Sequence, residues 1–355
     1  MIEIKEVRPN SKEMQDFLAL PKTLYQPTFL TQSETEEKAQ LLGEHELSSY
    51  YQLEALVAYK EGRPTARLAI IGYPKENKAY IGYFEAQNDW QTVRKLFETV
   101  KAKVRAQGKT HLVGPVNASF WLGYRMKLDH FDQPPFTGEP TGLAFYPKLW
   151  QRAGFQLSET YGSVFYRRVP LDDHQGRLEK RYHQFLSKGY TILSPKPNDW
   201  TRVSAQVFRL LSTLYADFPL YHAISEDSFK ELFAPYRYIL DFSMVKLAYK
   251  DDQLVGFLIT LPDYGNLVYQ KKHPINLLKL LKIRKKAKRY LILYLGVAPD
   301  HLGLGSALTY PIYQEIKARK ALAVGALIHQ GKITEHYAPT LKADNHHYGL
   351  FEMIL

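Results

Sequence analysis

The sequence predicts an α/β protein of the mixed-sheet α+β kind, built from two tandem copies of one domain. Three observations carry that prediction. First, Ala-Tyr-Lys occurs at residues 58–60 and again at 248–250, each time between strand-forming residues and a short polar turn: LEALVAYKEGRPTARLAII (53–71) and SMVKLAYKDDQLVGFLITL (243–261) both read as β-hairpins. Second, each hairpin is followed by a strand, a helix and a strand. Third, the second copy runs an apolar strand straight into a Gly-x-Gly turn that opens its helix, in YLILYLGVAPDHLGLGSAL (Tyr290 to Leu308).

The elements follow in order from their local signals. In the first copy, helical sequence over Ser11 to Phe17 and Glu34 to Leu42 precedes the hairpin. A strand (Ala79 to Ala86), a helix opened by Asp89 and stopped by Gly108 (Trp90 to Gln107), and a strand (Thr110 to Val116) succeed it. The second copy repeats the order with helices over Asp199 to Ala216 and Glu226 to Phe233, the hairpin, a strand (Tyr290 to Val297), a helix (Gly305 to Lys320) and a strand (Leu322 to His329). The charged stretch Arg167 to Tyr182, containing VPLDDHQGRLEKR, reads as the connection, with a helical second part. A boundary near residue 175 gives domains 1–175 and 176–355.

Composition narrows the function classes. At 355 residues with 45% hydrophobic residues the chain can bury a sizeable core. It has no cysteine, which excludes disulfides, thiolate metal sites and a cysteine nucleophile. MIEIKEVRPN lacks the apolar core of a signal peptide and no run approaches a membrane span, so a cytoplasmic protein is expected. Nine cations and no acid lie between Lys271 and Arg289, so the net charge of +11 is a local patch rather than a global property. The patch reads as the solvated face of a short amphipathic helix with Ile275, Leu278 and Leu281 turned inward. A seat for an anionic cofactor tail, an RNA or an anionic membrane surface are the alternatives. No helix-turn-helix or zinc spacing is present, and nucleic acid is not expected as a general partner. His346 and His347 have no carboxylate or cysteine at metal-ligand spacing; they read as surface residues, and no metal site is expected.

A glycine turn at a helix N-terminus seats anions, because absent Cβ atoms let a ligand approach, first-turn N–H groups lack helical partners, and the dipole adds positive charge. The strand-turn-helix V-x-P-x-x-x-G-x-G-x-A-L of Val297 to Leu308, in this element order, resembles motif A of the GNAT superfamily of acyl-CoA-dependent N-acyltransferases. The resemblance implies two tandem GNAT-like domains and acetyl-CoA or another acyl-CoA as co-substrate. Leu302, Gly303, Leu304, Gly305, Ser306 and Ala307 then form the pyrophosphate turn, and Leu295 and Val297 lie on the strand that pairs with the pantetheine arm. Leu302 stands where the family has Gln or Arg. The first copy resembles the N-terminal half of a bacterial group of tandem GNAT-like proteins through IGYFEAQND (Ile81 to Asp89), HLVGPVNAS (His111 to Ser119), LDHFDQPPF (Leu128 to Phe136) and YPKLWQRAGF (Tyr146 to Phe155), joined by LPDYGN (Leu261 to Asn266) and LGVAPD (Leu295 to Asp300). AQND has no glycine turn, so no cofactor is expected there, and Asn117 or Ser119 of GPVNAS reads as a residue satisfying backbone groups.

Acyl transfer to an amine needs an oriented thioester, a base, an oxyanion donor and an acid for the thiolate. The resemblance points to Tyr337 as acid, although the family's asparagine and glycine pair around it align to Gly331, Leu341 and Lys342. Asp263 and His329 are the candidate bases, readable equally as a turn residue after Pro262 and a half-buried histidine. The segment LYADFPLYHAISEDSF (Leu214 to Phe229) lies where the family forms its acceptor pocket, and Tyr215, Phe218, Tyr221 and His222 could line a site for a small amine or amino-acid-like acceptor. Two other readings remain: a Fem-type transferase that takes its acyl group from aminoacyl-tRNA, with RNA phosphates on the basic run, and a non-catalytic binding protein.

Overall fold

Both Ala-Tyr-Lys segments lie in one arm of a long antiparallel hairpin in the computed structural model, which describes residues 1–218, 220–270, 273–331 and 338–355. The chain divides into two compact units, Met1–Tyr161 with His346–Leu355, and Gly162–Asn345. The expected boundary near residue 175 therefore falls inside the second unit, and the C-terminal segment belongs to the first. The reason is a strand pairing that no local signal announces.

In the first unit the order is β1 (Ile2–Glu6), α1 (Lys12–Leu24), α2 (Glu34–Leu42), β2 (Gln52–Lys60), β3 (Arg63–Gly72), β4 (Lys78–Ala86), α3 (Trp90–Ala106), β5 (His111–Gly114), β6 (Met126–Lys127), α4 (Tyr146–Arg152) and β7 (Gln156–Tyr166), which leads into the second unit. Strands pair as β1-β2-β3-β4-β5, and the end of the C-terminal strand lies antiparallel on β5 from Phe351↔Gly114 to Ile354↔His111. The period-two alternation turns Leu56, Ala58, Leu68 and Ile70 toward α3, whose buried Val93, Leu96, Phe97, Val100 and Val104 recur at helical spacing. The opposite face carries α1, with Phe17 against Arg67. Helices on both faces explain why β2 and β3 read as near-continuous apolar runs. Ser11 and Asp89 cap α1 and α3 by accepting the N–H groups of Met14 and Gln91.

The second unit repeats the plan: α5 (Gly176–Ser187), β8 (Thr191–Leu193), α6 (Trp200–Tyr215), α7 (Glu226–Phe233), α8 (Tyr236–Ile239), β9 (Val245–Lys250), β10 (Gln253–Pro262), α9 (Pro274–Lys285), β11 (Arg289–Val297), α10 (Leu304–Ala318), β12 (Leu322–His329) and β13 (Lys342–Ile354), which returns the chain to the first unit. Its strands pair as β12-β11-β10-β9-β8, with β11 and β12 parallel and the others antiparallel. α10 buries Leu304, Ala307, Leu308, Ile312 and Ile316, and α6 buries Trp200, Val203, Val207 and Leu211. No helix among the described residues is long and apolar enough to cross a membrane.

The first unit also holds a charge network with a pH signature. The Glu85 carboxylate accepts from the hydroxyls of Tyr25 and Tyr146, each at 2.7 Å. Burial raises its pKa from the ordinary 4.5 to about 7, against the opposing pull of Arg67 and the two phenols. A carboxyl raised in the folded state binds more protons there than in the unfolded chain, so its contribution is greatest below pH 4.5 and is lost as pH rises to about 7. We expect the stability of Glu85→Gln relative to wild type to rise by about 2 kcal/mol between pH 4.5 and above pH 7, after discounting for partial exposure. Urea unfolding of both proteins across the range checks this; parallel stability profiles would refute it.

Candidate active site

The central feature of the second unit is a pair of parallel strands that separate. The β11-β12 ladder runs from Arg289↔Leu322 to Ile292↔Gly325 and stops, although β11 continues to Val297 and β12 to His329. A bulge supplies the cause. Thr260 pairs with Ile292 but Ile259 pairs with Tyr294, which leaves Leu293 as an extra residue and bends β11 at the point where the ladder ends. On the other strand Leu327 takes a left-handed φ of 56° and donates its N–H to the Ser163 hydroxyl at 3.0 Å. Two backbones, Tyr294 to Val297 and Ala326 to His329, thus diverge toward the end where β11 meets α10.

At that end Gly303 is the N-cap of α10, with φ of 90°, a conformation that costs glycine little and other residues more. Leu304 and Ala307 are buried, and Leu304 with Leu308 packs against Gly256, which anchors the helix start. Among first-turn N–H groups, Leu304 bonds to the His301 carbonyl and Ser306 to the Gly303 carbonyl, so Gly305 is the donor without such a bond among the described residues. Leu302 is 88% exposed on the outside of the turn. Near the turn, Arg181 on α5 brings its guanidinium carbon to 3.8 Å of where a Gly303 Cβ would stand. Tyr190 holds His301 beside it, hydroxyl to Nδ1 at 2.7 Å. Arg181 was legible only as part of a connection; the signal that finds it is the helical spacing of Leu178, Tyr182 and Phe185, which pack α5 onto the α10 core.

His329 ends β12 at this same end, half-buried, with its ring 6.4 Å from that of Phe218. Phe218 in turn meets Tyr215 at 5.9 Å, so the aromatic residues at and just beyond the end of α6 lie beside the end of β12. Asp263 does not reach them. Its N–H donates to the Arg289 carbonyl at 3.0 Å, its carboxylate pairs with Arg289 at 3.3 Å and it accepts the Gly265 N–H at 2.9 Å. It is a turn residue at the start of β11, roughly 16 Å along the strand from Tyr294 at about 3.3 Å per residue. The expectation of Asp263 as base is corrected on that ground. Tyr337 lies outside the described residues. Gly331 and Leu341 flank that segment, one exposed with φ of 84° and the other buried before β13.

The first unit has the same splay and fills it. Its β4-β5 ladder ends at Tyr80↔Val113, and the register shifts in the next few residues of β4, where Tyr83 has φ of 55°. The chain after β5 then folds back: Val116 N–H donates to the Ile81 carbonyl and Asn117 Oδ1 accepts the Tyr83 N–H, both at 2.8 Å. A Cβ on Gly82 would lie 2.1 Å from the Val116 carbonyl oxygen, so the backbones touch. The GPVNAS motif is used to close the gap. At the α3 N-terminus the Asp89 carboxylate already accepts the Gln91 N–H and pairs with Lys60 at 2.7 Å, placing a negative charge where a phosphate would have to sit.

No protein-family model matches the chain. Among curated proteins it is 24% identical over 154 residues to Protein YghO of Escherichia coli, a match that covers 41% of this chain and 40% of that one. It is 20% identical over 270 residues to the bacterial ceramide synthase of Caulobacter vibrioides, covering 73% of this chain and 70% of that one. Among solved structures, a tandem GNAT protein from the clavulanic acid biosynthesis pathway superposes with a TM-score of 0.56 at 12% identity, covering 100% of this chain and 98% of that one. A GCN5-related glucosamine N-acetyltransferase region of a fungal multi-domain β-N-acetylglucosaminidase superposes with a TM-score of 0.54 at 12% identity, over 99% of this chain and 38% of that one. These likenesses, the repeated element order and the splayed strands in both units together give the chain the tandem GNAT fold.

Proposed function

We propose that the protein is an acyl-CoA-dependent N-acyltransferase whose second unit holds the co-substrate and whose acceptor is an amine. The observation that carries this reading is the splay of β11 from β12 at the same end as the Gly303 turn. A thioester arm has an extended backbone to pair with, beside a helix N-terminus suited to a pyrophosphate. Gly303 to Ala307 and the α10 dipole, with Arg181, hold the phosphates. Backbone groups of Leu295 and Val297 align the pantetheine arm. The amine nitrogen forms its bond to the thioester carbonyl carbon, the carbon–sulfur bond breaks, and the thiolate leaves with a proton. His329, facing the Phe218 segment, is the base that takes the amine proton, directly or through water, and Tyr337 is the acid by resemblance. The relative named a ceramide synthase favours an acceptor with an apolar part, which the aromatic segment suits.

The test is calorimetric titration with acetyl-CoA and with a long-chain acyl-CoA, followed by thiol release in the presence of a panel of amines. With no cysteine in the chain, a thiol reagent reads only liberated CoA. Arg181→Ala is expected to weaken acyl-CoA binding about tenfold, the size of one charge-assisted hydrogen bond at an exposed site. If no acyl-CoA binds, the reading fails; transfer from aminoacyl-tRNA in its place would install the Fem-type alternative.

A further inference from the structure

The expectation that Ile275, Leu278 and Leu281 point inward is wrong, and the way it is wrong is informative. Ile275 is 57% exposed, Leu277 48%, Leu278 66% and Leu281 43%, while Asn276, Leu280, Ile283 and Arg284 are the half-buried residues of α9. The helix thus turns a face of aliphatic side chains interleaved with Lys279, Lys282 and Lys285 to the outside. Tyr238, on the neighbouring α8, is 60% exposed, and its backbone carbonyl accepts from Arg284 at 2.8 Å. Five of the eleven large exposed hydrophobic residues among those described lie in this one patch. Scattered singly they would need no account; gathered on one helix face they do.

Next to the C-terminal end of α9 is a cleft of about 920 Å³. Eight of its fifteen lining residues are Lys or Arg, among them Arg168, Arg237, Lys285, Lys286 and Lys288, and its one acid is Asp241. That acid is already engaged: it accepts from Ser243 and pairs with Arg319, whose other terminal nitrogen donates to the Ser243 hydroxyl at 2.6 Å. The charge of the cleft is therefore uncompensated within its own lining.

We propose that α9 and this cationic cleft form the surface by which the second unit lies on an anionic lipid bilayer. The aliphatic side chains and Tyr238 enter the headgroup boundary, and the lysines and the cleft take lipid phosphates. Charge complementarity selects this occupant over the others. A second copy of the chain would bring two cationic faces together. An RNA would find the phosphate contacts but no exposed aromatic row on α9 for its bases, and the four aliphatic side chains would stay in water. The patch flanks the start of β11, and the Gly303 turn follows its end, so membrane docking and acyl-CoA binding use opposite ends of one strand. The inference stands independently of the acyltransferase reading.

The test is flotation of the full chain with vesicles of phosphatidylcholine alone and of phosphatidylcholine with one third phosphatidylglycerol. The protein is expected to float with the anionic vesicles and to be released by high salt. Replacing Lys282, Lys285 and Lys286 together by Gln should lower partition about a hundredfold, at roughly fivefold per cation near an anionic surface. Leu278→Asp with Leu281→Asp should abolish flotation. Because the chain lacks cysteine, Leu278→Cys gives a unique site for an environment-sensitive dye, whose emission should shift to the blue on anionic vesicles; the same dye at Glu98→Cys, an exposed position of α3, should not shift. Absence of flotation, equal flotation with neutral vesicles, or a silent dye at residue 278 would each overturn the proposal. So would tight polyuridylate binding that the lysine changes remove while vesicle binding is absent.

Discussion

Replacing Glu139 by Ala is expected to destabilise the first unit by about 3–5 kcal/mol, enough to consume a large share of the stability of an ordinary domain. The carboxylate is fully buried and carries four partners. One oxygen accepts from Tyr348 at 2.6 Å and His346 Nδ1 at 2.7 Å and lies 3.2 Å from Lys127 Nζ; the other accepts the Phe136 N–H at 3.2 Å. The Lys127 side chain is itself only 3% exposed. Removing the carboxylate leaves an ammonium in a dry site with its charge unanswered, which costs far more than the pair contributes by existing. Glu139→Gln, which keeps the volume and the acceptor, should cost less. The pH dependence has the opposite sign to that of Glu85. Burial pushes the Glu139 carboxyl up, but the hydrogen bond from His346, the charge of Lys127 and the Tyr348 hydroxyl outweigh it and hold the group below 4.5. A depressed carboxyl contributes stability that is fully present above pH 4.5 and is lost as pH falls through the lower folded value. Urea midpoints for the wild type and both variants at neutral pH and below pH 4 would show it; an Ala variant within about 1 kcal/mol of wild type would contradict the network's role.

Glu139 also marks where sequence reasoning stops. His346 reads as a surface residue because its neighbours in the chain show no ligand pattern and no apolar period, yet it is 2% exposed against a carboxylate more than two hundred residues away. The same limit explains why β1 and β13 went unread and the boundary fell near 175: a strand whose partner is distant has no turn or cap to announce it. What was legible depended on local period and local caps. Asp89 and the apolar stripe of α3, the two hairpins, and the strand-to-helix turn at Gly303 all lie within a few residues of their own evidence. α9 shows the converse error. A helix rich in leucine is read as packed inward by default, and only the fold reveals that its lysines and leucines share the outward face. In the candidate site, the glycine turn and His329 were visible as motif and strand end. Arg181 was hidden because its proximity to Gly303 depends on α5 packing against α10, and Asp263 was misplaced because a proline-aspartate turn looks alike at either end of a sheet.

A Phe at Gly305 is expected to abolish acyl-CoA binding, with an affinity loss of roughly a hundredfold or more if two charge-assisted bonds to the pyrophosphate are lost at the blocked seat. Gly305 is the first-turn residue of α10 whose N–H makes no bond to the preceding turn, and it follows Gly303, whose left-handed φ sets the entry. Bulk alone could also disturb α10, which is buried at Leu304, Gly305 and Ala307, so Gly305→Ala is the discriminating variant. Gly305 does not have a positive φ, and alanine in a helix is favoured over glycine by up to about 1 kcal/mol, so this change should leave the melting temperature equal or higher. Its methyl group is expected to crowd the proposed seat all the same. Lower affinity for acetyl-CoA together with undiminished thermal stability separates a ligand site from a structural glycine, because a purely structural role moves both in the same direction. Vesicle flotation should be unchanged in the same variant, since α9 flanks the other end of β11. If Gly305→Ala and Gly305→Phe both bind acyl-CoA as the wild type does, the phosphate seat is not at this turn, whatever the fold.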